Sequence, residues 1–324
     1  MSGKRYDVAA LGELLIDFTQ SGVGPQGSAL FEANPGGAPA NVLAMLGKLG
    51  RRCAFLGKVG DDAFGEQLAG TLRACGIDDC GLRRDAAVGT TLAFVHTAPD
   101  GERDFSFYRS PGADVMLRPE ELDTALLADC RVFHFGSLSL TDEPCRSATQ
   151  AALAAARDAG ALISFDPNLR PPLWPDAETA REQIAWGLAR CDVLKIADDE
   201  LRFVTGEEDP DRGADALRRR FPQLRLLAVT SGASGSRAWC GGAAASVPAF
   251  RLGGVTDTTG AGDAFCACML DYVLTHGAAG LDETDLREML RFANAAGYLV
   301  ATRRGALRSM PERAEIEALL RANP

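Results

Sequence analysis

The feature that most constrains the fold is a rhythm: short apolar runs alternate with longer helical patterns along almost the whole chain. The runs at 7–11, 53–56, 132–135, 162–165, 193–196 and 226–229 are too short for helices and nearly apolar throughout. Strands covered on both faces read this way. Helical periodicity rich in Ala, Leu and Arg fills 40–49, 64–74, 145–159, 179–189 and 214–221. Gly50, Gly76 and Gly160 stand where such helices should end. Strands separated by helices cannot form hairpins with one another, so the pattern predicts an α/β fold with a doubly wound, mainly parallel sheet.

Two segments break the rhythm. Residues 17–34 are Gly-rich, with alternation near 28–32, and 89–109 reads as two strands around a Pro99-Asp100-Gly101 turn. With no helix between them, these strands predict a small antiparallel unit apart from the main sheet. It is discontinuous in sequence, drawn from about 16–35 and 88–110. Such a unit is either a lid over a cleft or a plain edge hairpin. The last third is helical, at 261–276, 282–301 and 311–321. No repeat or flexible linker interrupts the chain, so residues 1–324 are expected to form a single domain.

The formal net charge of −10 disfavours nucleic acid and anionic membranes as partners, since both need clustered Lys and Arg. Nine Cys without a paired Cys-x-x-Cys pattern read as reduced thiols of a cytoplasmic protein. The three scattered His offer no transition-metal site. The first apolar run is too short for a signal peptide, and no stretch approaches a membrane span.

The chemistry concentrates at Asp257-Thr258-Thr259-Gly260-Ala261-Gly262-Asp263, which leads into an apolar helix. A Gly-Ala-Gly turn opening a helix aims backbone N–H groups at one point, where the helix dipole also favours an anion such as phosphate. Asp263 is then either a charge favouring the helix N-terminus or a proton acceptor beside a phosphate. The turn itself is either an anion site or purely structural. Two rival motifs do not fit. No Gly-x-x-x-x-Gly-Lys-Ser/Thr run occurs, and the third position of a dinucleotide fingerprint is Phe265.

The run from Asp257 to Phe265 is similar to the C-terminal signature of the ribokinase-like (PfkB) carbohydrate kinases. Gly36-Gly37-Ala38-Pro39-Ala40-Asn41, followed by a helix ending at Gly50, resembles that family's N-terminal signature. The two signatures are more than two hundred residues apart and in the right order, and the resemblance covers essentially the whole chain. It implies ATP-dependent phosphorylation of a sugar, with Asp263 as base and the backbone of Gly260, Ala261 and Gly262 as anion hole. On the sugar side it implies Asp17, Gly36, Gly37, Asn41 and Arg109. Asn168 and Arg170, in Asp166-Pro167-Asn168-Leu169-Arg170, follow a buried strand, where open α/β sheets bind ligands. Arg170 is placed to meet either the sugar or the transferred phosphoryl group.

On the nucleotide side the resemblance implies Lys195, Thr230, Gly232, Gly235 and Asn294. The usual Asn-x-x-Glu motif of the magnesium shell departs here: Ala197 stands at the Asn position, and Glu200 is kept. A potassium site is implied at Asp257, Thr259, Val300, Arg303, Gly305 and Ser309. The runs 107–114, 134–144 and 166–174 look like fructokinases within the family, which makes ATP, Mg2+ and K+ the expected cofactors. 2-Keto-3-deoxygluconate kinase is the nearest rival, and a non-catalytic sugar- or nucleotide-binding regulator is a further alternative. Alternate apolar residues on the lid strands need covering, which suggests a homodimer through the lid.

Overall fold

A computed structural model describes residues 3–97 and 103–324. The Pro99-Asp100-Gly101 turn lies outside the described residues. The strands are β1 (Tyr6–Leu11), β2 (Leu15–Val23), β3 (Ala29–Gly36), β4 (Cys53–Gly60), β5 (Ile77–Asp85), β6 (Leu92–Thr97), β7 (Arg103–Tyr108), β8 (Cys130–Gly136), β9 (Leu162–Asp166), β10 (Val193–Ala197), β11 (Leu226–Thr230), β12 (Ser236–Cys240) and β13 (Ala243–Val247). The helices are α1 (Ala38–Lys48), α2 (Ala63–Ala74), α3 (Thr124–Ala128), α4 (Cys145–Asp158), α5 (Ala177–Leu188), α6 (Asp198–Thr205), α7 (Pro210–Arg220), α8 (Ala261–His276), α9 (Glu283–Ala301) and α10 (Arg313–Ala322).

Nine strands form one sheet in the order β13-β12-β11-β10-β9-β8-β1-β4-β5. All neighbours pair in parallel except β11 with β12 and β12 with β13. The last two strands form an edge hairpin that sequence periodicity does not reveal. Successive residues of β1 serve opposite faces. Val8 and Ala10 pack with α1, α8 and α9, whereas Ala9 and Leu11 join Phe133, Phe135 and Phe165 on the other side. Each fully buried large apolar side chain contributes about 1.5–3 kcal/mol, so the two cores fix the sheet as a rigid base for its loops.

From β1 the chain order runs outward through β4 on one side and through β8 on the other. The reversal opens a crevice beyond the carboxyl ends of β1, β8 and β9, the position where such sheets bind ligands.

The small sheet has the order β3-β2-β6-β7. It is drawn from the two segments expected, but it is not antiparallel throughout. The pairs β2–β3 and β6–β7 are antiparallel, and β2 joins β6 in parallel with Asp17 opposite Ala93. Two local hairpins have been zipped side by side, and their parallel seam is a long-range pairing that strand alternation cannot reveal. Phe94 stacks on Phe18 at 4.8 Å and meets Tyr108 edge-on at 5.4 Å. Phe18 in turn meets Phe64 of α2 at 5.7 Å, anchoring the sheet to the main body.

Candidate active site

The crevice holds a cavity of about 330 Å3, within the range of about 300–1,000 Å3 usual for small-molecule sites. Its wall brings together Asp17, Gly37, Asn41, Asn168, Arg170, Gly260, Gly262 and Asp263, residues spread over most of the chain. Phe107 of the small sheet closes one side.

α8 begins at Gly260, whose left-handed backbone (φ 83°) suits glycine and turns the chain into the helix. Asp263 lies in the first turn, where N–H groups lack intrahelical partners. Of the three amides expected in the anion hole, that of Ala261 donates to the Thr258 carbonyl at 3.2 Å. Asp263 is buried and held from two sides. Its Oδ2 accepts from Asn41 Nδ2 at 2.8 Å and its Oδ1 from Asn168 Nδ2 at 3.4 Å. Burial raises its pKa above the usual aspartate range, against the hydrogen bond from Asn41 and the charges of Lys195 and Arg170. A carboxylate made more basic in this way, and aimed into a cleft, is suited to take a proton.

The sugar-side expectation converges at the start of α1. Gly37 (φ 123°) leaves no room for a Cβ against the carbonyl oxygen of Glu13. A Cβ on Gly36 would strike Asp17 Oδ2. These glycines let the chain pass tightly over β2. Burial pushes the Asp17 carboxyl up to about 7, with Asp257 and Asp263 adding to the shift and Arg170 opposing it. Asn168 adopts a left-handed backbone (φ 47°), which Asn tolerates better than most residues. That turn carries its amide to Asp263.

Glu13 escaped sequence reasoning. Its only signal was a lone carboxylate inside an apolar run. It is buried in the cleft wall, and its Oε1 accepts the Ala38 N–H at 2.8 Å. It thereby caps α1, whose own N-cap, Gly37, has no side chain to do so. Burial raises its carboxyl to about 7.

Three expected contacts fall elsewhere. Arg109 does not line the cleft. Its guanidinium is buried and bound to Asp114 Oδ2 at 2.7 and 2.8 Å, to Thr141 Oγ1 at 2.9 Å and to the Leu138 carbonyl at 3.0 Å. A chain with Asp114 five residues on folds that arginine inward, because an unpaired guanidinium could not be buried there. Lys195 is likewise off the wall. It pairs with buried Asp166 at 3.0 Å, beneath the α8 turn, with Nζ 3.1 Å from where a Gly262 Cβ would lie. Burial opposes its charge, but Asp166 and Glu200 outweigh that and raise its pKa. Asn294 fastens α9 to the edge hairpin, accepting from Ser236 Oγ at 2.8 Å and donating to the Val247 and Pro248 carbonyls at 3.2 Å.

Thr230, Gly232 and Gly235 form the turn after β11, closed by the Ser231 N–H on the Gly235 carbonyl at 2.8 Å. Glu200 accepts the Leu169 N–H on one oxygen at 2.6 Å and the Ala197 N–H on the other at 2.9 Å. It thus ties the Asn168–Arg170 loop to the end of β10. Among the described residues no cluster of three or more His, Cys, Asp or Glu could cage a metal. Near α8 the loops at 257–259 and 300–309 meet. The Asp257 N–H reaches the Ala301 carbonyl at 3.1 Å, Asp257 Oδ1 accepts from the Thr259 N–H at 2.8 Å, and the carbonyls of Val300 and Ser309 both accept from Arg303. These contacts tie the two loops to one another beside the start of α8.

Residues 6–313 match the family described as pfkB family carbohydrate kinase. The chain is 46% identical over 316 residues to the Arabidopsis thaliana protein named "Probable fructokinase-2", covering 97% of this chain and 95% of that one. It superposes on the fructokinase of Xylella fastidiosa with bound ATP at a TM-score of 0.88, with 35% identity and 98% and 99% of the two chains covered. A double mutant of the Vibrio cholerae fructokinase bound to fructose, ADP and potassium gives a TM-score of 0.84, with 30% identity and 98% and 99% coverage.

Proposed function

Since the chain belongs to the pfkB family of carbohydrate kinases, we propose that it transfers the γ-phosphoryl group of ATP to the 6-hydroxyl of D-fructose. One observation carries the mechanism: Asp263, at the first turn of α8, is oriented by Asn41 and Asn168 toward a cleft of hexose size. In this reading Asp17 and Asn41 hold sugar hydroxyls, and Asp263 takes the proton of the primary hydroxyl as its oxygen attacks phosphorus in line. Arg170 and the amides of Gly260 and Gly262 face the negative charge that grows on the phosphoryl oxygens, while the Ala261 amide, bonded to the Thr258 carbonyl, holds the turn in shape. Magnesium, when bound with the nucleotide, neutralises phosphate charge; Glu200 holds the loop on which Asn168 and Arg170 stand. A potassium ion near Asp257, Thr259, Val300, Arg303, Gly305 and Ser309 would stiffen the approach to α8, and the potassium-bound Vibrio cholerae relative supports it. Thr230, Gly232 and Gly235 then lie toward the ATP phosphates. Lys195 supports them from beneath the turn, and Asn294 fixes the hairpin beside the adenine.

The aromatic small sheet serves as lid. Val23, Leu30, Phe31 and Tyr108 are exposed upon it, which supports a homodimer through this face. No helix among the described residues is long and apolar enough to cross a membrane. A cytoplasmic location is part of the same proposal.

The decisive experiment measures ADP release with fructose, ribose, adenosine and 2-keto-3-deoxygluconate, with and without K+. Fructose should give the highest kcat/KM. Turnover of another sugar but not of fructose would overturn the substrate assignment. A second measurement follows from Asp17. As a carboxylate it accepts from sugar hydroxyls, and protonation removes that capacity. kcat/KM for fructose should therefore fall as pH drops through about 7, where Asp17 takes up its proton. A Gln or Asn at Asp17 should give a slow enzyme lacking that limb; an unchanged limb in Asp17→Asn would reassign it.

A further inference from the structure

The cleft wall has a charge behind it. Arg109 follows β7 and lies buried beyond Phe107 and Leu138, which both line the sugar cavity. On its other side it borders a second cavity of about 460 Å3, for which Phe107 is the shared wall. A free guanidinium here would suit a sugar carrying a carboxylate, because arginine binds carboxylates through paired N–H groups. This one is not free. Asp114 receives its Nε and Nη2, Thr141 and Leu138 take further donors, and the side chains of the pair are only 4% and 1% exposed. Asp114 is itself fixed, since its other oxygen accepts from Thr91 Oγ1 at the foot of β6. The charged side chains that line the sugar cavity are the acidic Glu13, Asp17 and Asp263 and the single cation Arg170.

We propose that Asp114 sets the choice between neutral and acidic sugars, by holding the Arg109 guanidinium in an internal ion pair out of reach of the substrate. The proposal rests on the sugar-kinase reading above. It assigns Asp114 a specificity role without contact to the sugar. A neutral ketose then meets a wall of carboxylates and amides that accept its hydroxyls. A sugar acid meets those carboxylates with Arg170 as the one cation among the residues lining the cavity, and the charge of Arg170 already acts on Asp17 and Asp263.

The test compares kcat/KM for fructose and for 2-keto-3-deoxygluconate in the wild type, Asp114→Asn and the double variant Asp114→Asn/Arg109→Met. Thermal unfolding is followed in each. In Asp114→Asn the fructose-to-acid ratio should fall at least about tenfold, and the gain toward the acid should vanish in the double variant. A ratio unchanged within about twofold in a folded Asp114→Asn, or a gain that survives loss of Arg109, overturns the proposal. If Asp114→Asn does not fold, Arg109→Met/Asp114→Leu removes both charges together, which buried pairs often tolerate. KM for fructose should then stay within about threefold of wild type, whereas a tenfold rise would make Arg109 a sugar ligand and end the argument. The wild-type measurement separates this from the parent reading. If the unmodified chain prefers the acid, the substrate class itself has been misassigned before any variant is made.

Discussion

Asp263→Asn should lose roughly 10^3-fold in kcat, in the middle of the 10^2–10^4 range that a positioned general base supplies. The amide keeps the shape of the carboxylate and can still accept from Asn41, but it cannot carry away the hydroxyl proton. KM for fructose should change far less than kcat, because the loss is confined to the transition state. The fold should survive. Burial already disfavours the Asp263 carboxylate, as its raised pKa records, so a neutral isostere should leave the thermal midpoint equal or higher. The measurement is steady-state ADP release beside a melting curve. Full activity in a folded Asp263→Asn protein would remove Asp263 from the chemistry and leave it a helix-terminus charge.

The second large effect is on stability. Lys195→Met should destabilise the protein by about 3–5 kcal/mol, because it strands the Asp166 carboxylate with no counter-charge in the interior. Replacing both members, as Lys195→Met/Asp166→Leu, should recover a good part of that loss, since the attraction within a buried pair does little more than offset its desolvation. Denaturant unfolding of the four proteins in the cycle isolates the pairwise term. If the single and double variants are equally unstable, the pair is not what holds the ground beneath α8. Activity adds a further distinction. On the proposed function the double variant should be impaired even where it is folded, because Lys195 underlies the α8 turn, with Nζ 3.1 Å from the Cβ position of Gly262.

The main sheet was legible because its strands are buried on both faces and therefore read as continuous apolar runs between helices. The two glycine motifs were legible because backbone geometry demands Gly at Gly37 and Gly260 whatever surrounds them. What stayed hidden has physical causes too. β12 is five residues long and mixes Ser236 and Arg237 with apolar residues, and β13 is short and mostly not buried, so neither shows a clean period. α6 has eight residues and buries only Glu200 and Leu201, too few for a helical stripe. The parallel seam between β2 and β6 joins segments some seventy residues apart, and no local pattern encodes it. Arg109 and Lys195 were expected at substrate and nucleotide because the family resemblance implies them there. Each instead found a carboxylate inside, Asp114 and Asp166, and only the folded chain shows which partner an arginine or lysine has reached. Glu13 is the reverse case: a carboxylate in an apolar run, given no role by the sequence, that proves to cap α1.

The bond between the Ala197 N–H and Glu200 bears on how this site tolerates change over generations. At position 197 the connection is made by main chain, and the side chain takes no part in it. Nineteen of the twenty amino acids carry that N–H, so almost any codon change there leaves the tether of the Asn168–Arg170 loop intact; proline alone would sever it. A motif written in side chains can thus drift while the geometry beneath it stays fixed, and the departure at Ala197 costs the architecture of this cleft nothing.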